Sequence, residues 1–411
     1  MPVLSEFAGV GMPDWVDALI RILFVVGLMT INAFALIVLE RKVLARFHAR
    51  VGPTKTGPWG SLQSIADALK LVSKEDVRPA SADRWVFELA PYFVFVPVFL
   101  IFVPIPFTKD LFVRDIELGF LYVFGVLGLN IVGVVMAGWG SDNKYALIGA
   151  VRATAQAISY ELPMLLVTVG VVMIAATHLQ ADGLSTSQAL NLNFIADDQK
   201  TTPYIILQPL GFVIFMIGTL AELHRPPFDI PVAESEVVGG YFVEYSGMRW
   251  GLFFLAEYTA LFLLVMLVSV VFLGGWNWPF GESLGMGWQL VLTLSKASAF
   301  IFALFWMRAV IPRLRIDQLM AFSWKVLLPF SIVQIMANAI ILSYHGADWI
   351  IGLVSLALLV LLVALVYVQM RLKAGTGTRT IRREPARPRM LTAQEGMTTA
   401  QEASPAGGSG D

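Results

Sequence analysis

The chain contains no cysteine. Disulfides, iron–sulfur clusters and thiolate metal sites built by this chain are therefore excluded. Its four histidines, His48, His178, His224 and His345, stand singly with no i, i+4 pair, which argues against a metal centre of its own. Charge is also scarce. Only 14% of the 411 residues are Asp, Glu, Lys or Arg, where a soluble domain carries about a quarter. No GxGxxG occurs; Gly52 and Gly57 have the glycine spacing of a P-loop, but Pro58-Trp59 follows in place of Lys-Ser/Thr. Neither a nucleotide, a flavin, a haem nor a metal is expected to be held by this chain alone.

What fills the sequence is apolar residues, 57% of the whole, gathered into runs long enough to cross a bilayer. They predict an all-α polytopic membrane protein with about nine transmembrane helices: Trp15–Leu39, Phe87–Phe107, Gly119–Trp139, Ile158–Thr177, Tyr204–Leu223, Leu252–Leu273, Trp288–Ile311, Val326–Tyr344 and Trp349–Tyr367. Between the first two, Leu62, Ile65, Leu69 and Val72 recur at helical spacing opposite Gln63, Asp67, Lys70 and Lys74. This piece is too short to span, so it is expected to lie along the interface as an amphipathic helix. Orientation follows from Lys and Arg, of which 24 fall in segments 40–85, 141–157, 225–251 and 308–325 and after Tyr367, against 3 on the opposite side. The expectation is an outside N-terminus, cytoplasmic large loops and a cytoplasmic C-terminus. Residues 1–370 are expected to form the membrane domain and 371–411 a basic, disordered cytoplasmic tail. The first fourteen residues carry no Lys or Arg, unlike a secretory signal, and no internal repeat marks an inverted-repeat transporter.

The stretch that organises the rest is Ala221–Gly251, AELHRPPFDIPVAESEVVGGYFVEYSGMRWG, set between two apolar runs. It holds Glu222, Arg225, Asp229, Glu234, Glu236, Glu244 and Arg249 among Phe228, Val237, Val238, Tyr241, Phe242 and Tyr245. Three prolines, Pro226, Pro227 and Pro231, prevent a continuous helix. Irregular backbone beside a bilayer persists where protein or a wet cavity encloses it, so a folded, half-buried acidic site is expected here. Glu161, Glu222 and Glu257 stand at the same ends of three spans, which predicts a connected acidic path with Glu234 and Glu236. Arg225, three residues after Glu222, and Arg152 are the expected counter-ions. Trp, Phe and Pro woven through the basic segments 40–85 and 308–325 suggest docking surfaces.

Two long motifs, ERKVLARFHARVGP…GPWGSLQSIADALKLVSKED at Glu40–Asp76 and AELHRPPFDIPVAESEVVGGYFVEYSG at Ala221–Gly247, resemble the quinone-chamber membrane subunit of respiratory complex I. Supporting stretches are SDNKYALIGAVRATAQAISYELP at Ser141–Pro163, FFLAEY at Phe253–Tyr258 and PRLRIDQLM at Pro312–Met320. The resemblance implies a helical bundle in the bacterial inner membrane that lines a quinone tunnel and couples quinone reduction to proton translocation. It implies partner subunits that carry NADH, FMN and the iron–sulfur clusters, with quinone as substrate and antiporter-like and small membrane subunits as neighbours. By motif, Arg41, Arg50 and Asp67 fall at the quinone cavity or interface. Glu161, Glu222, Arg225, Asp229, Glu234, Glu236 and Glu257 fall on the proton path. Two departures stand out: Val232 where members often carry a carboxylate, and Ile316 where they carry Tyr. The membrane subunit of an energy-converting hydrogenase, a stand-alone proton or cation transporter and a passive anchor are the alternatives at this point.

Overall fold

A computed structural model describes residues 14–181, 183, 186–279, 285–344 and 346–376. Among these residues the regular structure is entirely helical. In chain order the α-helices are α1 (Asp14–Phe47), α2 (Gln63–Ser73), α3 (Arg84–Ile101), α4 (Gly119–Gly140) and α5 (Lys144–Ala181). They continue as α6 (Leu192–Asp198), α7 (Tyr204–Leu207), α8 (Pro209–Glu222), α9 (Glu234–Val237) and α10 (Gly247–Leu273). The series ends with α11 (Met286–Val310), α12 (Ile316–Phe322), α13 (Leu328–Ser343) and α14 (Asp348–Thr376). Among the described residues, seven helical stretches are long and apolar enough to cross a membrane: α3, α4, α5, α10, α11, the continuous Ile316–Ser343 and α14. The protein is a polytopic, all-α membrane protein.

Two of the expected runs stand outside this set. The first lies within α1, whose 34 residues extend roughly 50 Å and end in the charged turn Glu40–Arg46. The fifth is broken. Pro209 supplies no N–H and pushes the residue before it out of helical geometry, so Gln208 takes φ −133° and ψ 62°. A single turn, α7, precedes the break, and the 14-residue α8 follows it.

Ser141–Ala157, expected as a short polar and partly helical segment, carries more helix than that. It is mostly the start of α5, which runs for 38 residues, well beyond bilayer thickness. Its extra turns pack on the acidic stretch. A Cβ at Gly149 would stand 2.6 Å from the Gly240 Cα, and one at Gly240 would meet the Pro231 carbonyl oxygen at 2.2 Å. Gly240 also has φ +72°, so the two backbones meet where only glycine fits.

The centre of the bundle is α10, whose residues from Leu261 to Phe272 are almost all buried. α2 lies at the surface of this chain, with Ile65, Leu69 and Val72, and Leu62 just before it, all exposed. Contacts divide the chain after Leu362. In the second unit the described residues continue the helix through Thr376, with the Arg371 Nε donating to the Tyr367 hydroxyl at 2.7 Å. The rest of the expected tail, 377–411, lies outside the described residues.

Candidate functional site

The turn after α8 places Arg225 at the centre of a buried charge cluster. Its Nη1 donates to both carboxylate oxygens of Glu40, at 2.8 and 3.1 Å, from the end of α1. Its Nε lies 2.9 Å from Glu257 Oε1 on α10. The guanidinium also stacks over Tyr258, 4.7 Å from the ring centroid. Arg308, from the end of α11, contacts Glu40 as well. Glu40 is 2% exposed and Arg225 6%, so the ends of α1 and α11, the turn after α8 and the middle of α10 are joined around a buried ion pair. Burial works against the Arg225 charge, but Glu257, Tyr258 and Asp229 outweigh it and hold the group above its ordinary pKa. The expected Glu222–Arg225 pairing is not what forms: Arg225 is committed to Glu40 and Glu257, and the buried Glu222 Oε2 has no hydrogen-bond partner.

The turn itself is clamped from two sides. The Gln156 side-chain amide, on α5, donates to the carbonyls of Ala221 and Phe228, both at 2.8 Å. The Leu314 N–H donates to Pro227 O at 3.0 Å, tying in the basic stretch after α11. Phe228, Ile230, Ala233 and Val237 are buried and anchor the chain between these ties.

The other predicted acids take different places around this cluster. Glu161 and Glu222 lie within electrostatic reach of each other. Asp229 lies within reach of Arg225, Glu257 and Tyr241. Glu236 is not buried: its side chain is 45% exposed and bridged by Arg152 at 2.6 Å and Arg313 at 3.2 Å. Within this chain it stands in an ion-pair network at the surface. Glu234 begins α9, and its side chain lies outside the described ones.

On the other side of α1 opens a cavity of about 630 Å³ between α1, α2, α10 and residues 238–248. Arg41 and Asp67 face each other on its wall, joined at 2.5 Å, with Gln63 donating to the second Asp67 oxygen at 3.1 Å. Phe34, Ile37, Phe242 and Phe254 supply its apolar lining. Arg50 is exposed on the turn after α1 and is not part of this lining. Sequence reasoning assigned no role to Glu40, Arg308 or Tyr258. The available signal was an acid abutting the first apolar run and an arginine at the end of the seventh.

A family model described as NADH dehydrogenase matches residues 20–339, a region that contains both the cavity and the charge cluster. The chain belongs to the NADH dehydrogenase family. Similar proteins carry the name of the H-type subunit of NADH-quinone oxidoreductase. That of Brevibacillus brevis is 42% identical over 341 residues, covering 81% of this chain and 96% of its own. That of Geobacillus kaustophilus is 47% identical over 308 residues, covering 74% and 88%. That of Dehalococcoides mccartyi strain CBDB1 is 42% identical over 325 residues, covering 79% and 87%. Among the described residues no group of three or more His, Asp or Glu is arranged to hold a metal.

His224 lies in the same clamped turn, and burial pushes its pKa down to about 4. It is neutral at pH 7. Because this value is below that of an unfolded histidine, about 6.5, its stabilising contribution is complete above about pH 6.5 and lost as pH falls towards 4. The full contribution is at most about 3 kcal/mol. The melting midpoint of the purified assembly is expected to drop more steeply between these pH values for the natural chain than for His224→Gln. Parallel curves for the two would show that the His224 proton is not linked to folding.

Proposed function

We propose that this chain is the quinone-chamber membrane subunit of a proton-translocating NADH:quinone oxidoreductase. The observation that carries the reading is the adjacency of Glu40 and Arg41. One residue reaches into the buried charge cluster and its neighbour into the cavity wall, so a ligand in the cavity acts on the cluster through a single turn of α1. α10 repeats the arrangement, with Phe254 and Leu255 on the cavity and Glu257 in the cluster.

The apolar walls suit an isoprenoid quinone, and Arg41 and Asp67 give the polar contacts that a ring oxygen needs. Reduction of a quinone to a quinol takes up two electrons and two protons. The electrons come from an iron–sulfur cluster in a peripheral-arm subunit, supplied in turn by FMN and NADH in partners. This chain contributes the chamber and the buried charges. Arg41, Asp67 and, at the docking surface, Arg50 serve quinone and its interface. Glu161, Glu222, Arg225, Asp229, Glu234 and Glu257 serve the coupling path, with Glu236 at its solvent edge. The protein sits in a bacterial inner membrane with its N-terminus outside and its basic loops cytoplasmic, beside small membrane subunits and antiporter-like subunits.

Purification through a tag on this chain, followed by identification of co-purifying subunits and labelling with a photoreactive quinone, tests the reading. Partners bearing FMN and iron–sulfur clusters, with label on cavity residues of α1, α2 or α10, are expected. Co-purification with a nickel–iron partner, or recovery of the chain alone as an ion carrier, would replace it.

A further inference from the structure

The break in the fifth span creates a second polar centre, remote in sequence from the acidic stretch. Gln208, at the break, is 0% exposed, as is Gln334 on α13, and Asn338 one turn further is 1% exposed. Gln334 Nε2 donates to Asn338 Oδ1 at 2.9 Å. Four side-chain atoms of this trio then have no partner: Gln208 Nε2 and Oε1, Gln334 Oε1 and Asn338 Nδ2. The trio meets because Gly170 on α5 has no side chain. A Cβ there would stand 2.6 Å from Gln208 Nε2 and 3.2 Å from Asn338 Nδ2. Two amide nitrogens from different helices thus converge over one patch of bare backbone. Both are donors, and donors do not satisfy each other.

The surrounding backbone is already engaged. Gln208 N donates to Tyr204 O at 2.7 Å, Phe212 N donates to Gln208 O at 2.9 Å, and Leu210 N donates to Ser355 Oγ at 3.2 Å. A partner subunit has no access, since this chain encloses all three amides. Exchanging the oxygen and nitrogen of an amide turns a donor into an acceptor but leaves the number of groups that need partners unchanged. Polar groups buried at membrane depth require partners, and enclosed water is the usual one, with about three hydrogen bonds to such groups.

We propose that Gln208, Gln334 and Asn338 form an internal hydration site, with water held between the break in the fifth span and α13 above Gly170. The unpartnered set is two donors and two acceptors, which complements the two lone pairs and two hydrogens of a water molecule. A cation would call for acceptors alone and an anion for donors alone, so neither fits. Water here joins α5, α8 and α13 at the one place where the fifth helix cannot hold itself together.

The test is a density map of the intact complex that co-purifies with the tagged chain, at a resolution showing ordered water elsewhere in the membrane region. Density within hydrogen-bonding distance of Gln208 and Asn338 is expected. In a Gln208→Leu/Asn338→Leu double variant that density is expected to vanish while the other buried waters remain. An empty site in the natural protein, with the amides touching directly, overturns the proposal, as does density that persists in the double variant. Should the double variant fail to assemble, the map of the natural protein decides alone.

Discussion

Arg225→Gln is expected to remove most of the assembled subunit from the membrane and to abolish quinone-linked turnover in what remains. Arg225 is 7% exposed at its side chain and is the bidentate partner of Glu40, itself 3% exposed at the side chain. Removing one partner of a buried pair strands the other, at a cost of about 3–5 kcal/mol, against a typical net stability of about 5–15 kcal/mol. Arg308 still touches Glu40 in the variant, but the half-buried Glu257 loses its ion pair. The double variant Arg225→Gln/Glu257→Gln is expected to recover part of the assembly, because it withdraws the stranded carboxylate together with its partner. Quantifying assembled complex by native electrophoresis, with NADH–quinone activity normalised to it, separates folding from coupling. Single and double variants that assemble alike, with near-normal turnover, would mean that the cluster neither holds the fold nor serves the reaction.

The apolar runs were legible because a bilayer imposes length and composition on every span. Partners were not, because they depend on chain that is distant in sequence. Glu40 and Arg225 stand 185 residues apart, and nothing in either motif says that the two meet. Asp67 illustrates the same limit: helical periodicity put it at the polar edge of α2, yet its bond to Arg41 depends on how α2 lies against α1. Ser141–Ala157 read as a short polar, partly helical segment, and the extent of its helix was not apparent. It is helical because Gln156 and Arg152 find partners in the acidic stretch and Gly149 lets the backbones touch. The break at Gln208, by contrast, was visible in principle. Pro209 lies five residues inside an expected span, and the constraint on the residue before proline is local. Composition likewise does not report that Glu236 faces water in this chain while the Glu222 Oε2 is enclosed.

That difference in burial yields the sharpest contrast among the acids. Glu222→Gln keeps the size of the side chain and removes its capacity to exchange a proton. Its buried Oε2 has no hydrogen-bond partner, Arg225 is held elsewhere, and Glu161 is the carboxylate within reach. No neighbouring cation takes over the lost function. Turnover coupled to proton translocation is expected to fall about tenfold, equivalent to about 1.4 kcal/mol of barrier, with assembly intact. Glu236→Gln breaks ion pairs to Arg152 and Arg313 on an exposed side chain, where such pairs are worth about 0–1 kcal/mol. Its turnover is expected to stay within about twofold of normal, and added salt should narrow even that gap, since exposed pairs are screened. Proton-to-electron ratios measured in vesicles, with electron entry followed separately through an artificial acceptor, distinguish a coupling defect from a loss of enzyme. A Glu236→Gln variant as impaired as Glu222→Gln would extend the path through the exposed network. A Glu222→Gln variant that pumps at the normal rate and ratio would remove Glu222 from coupling and leave it a structural residue at the end of α8.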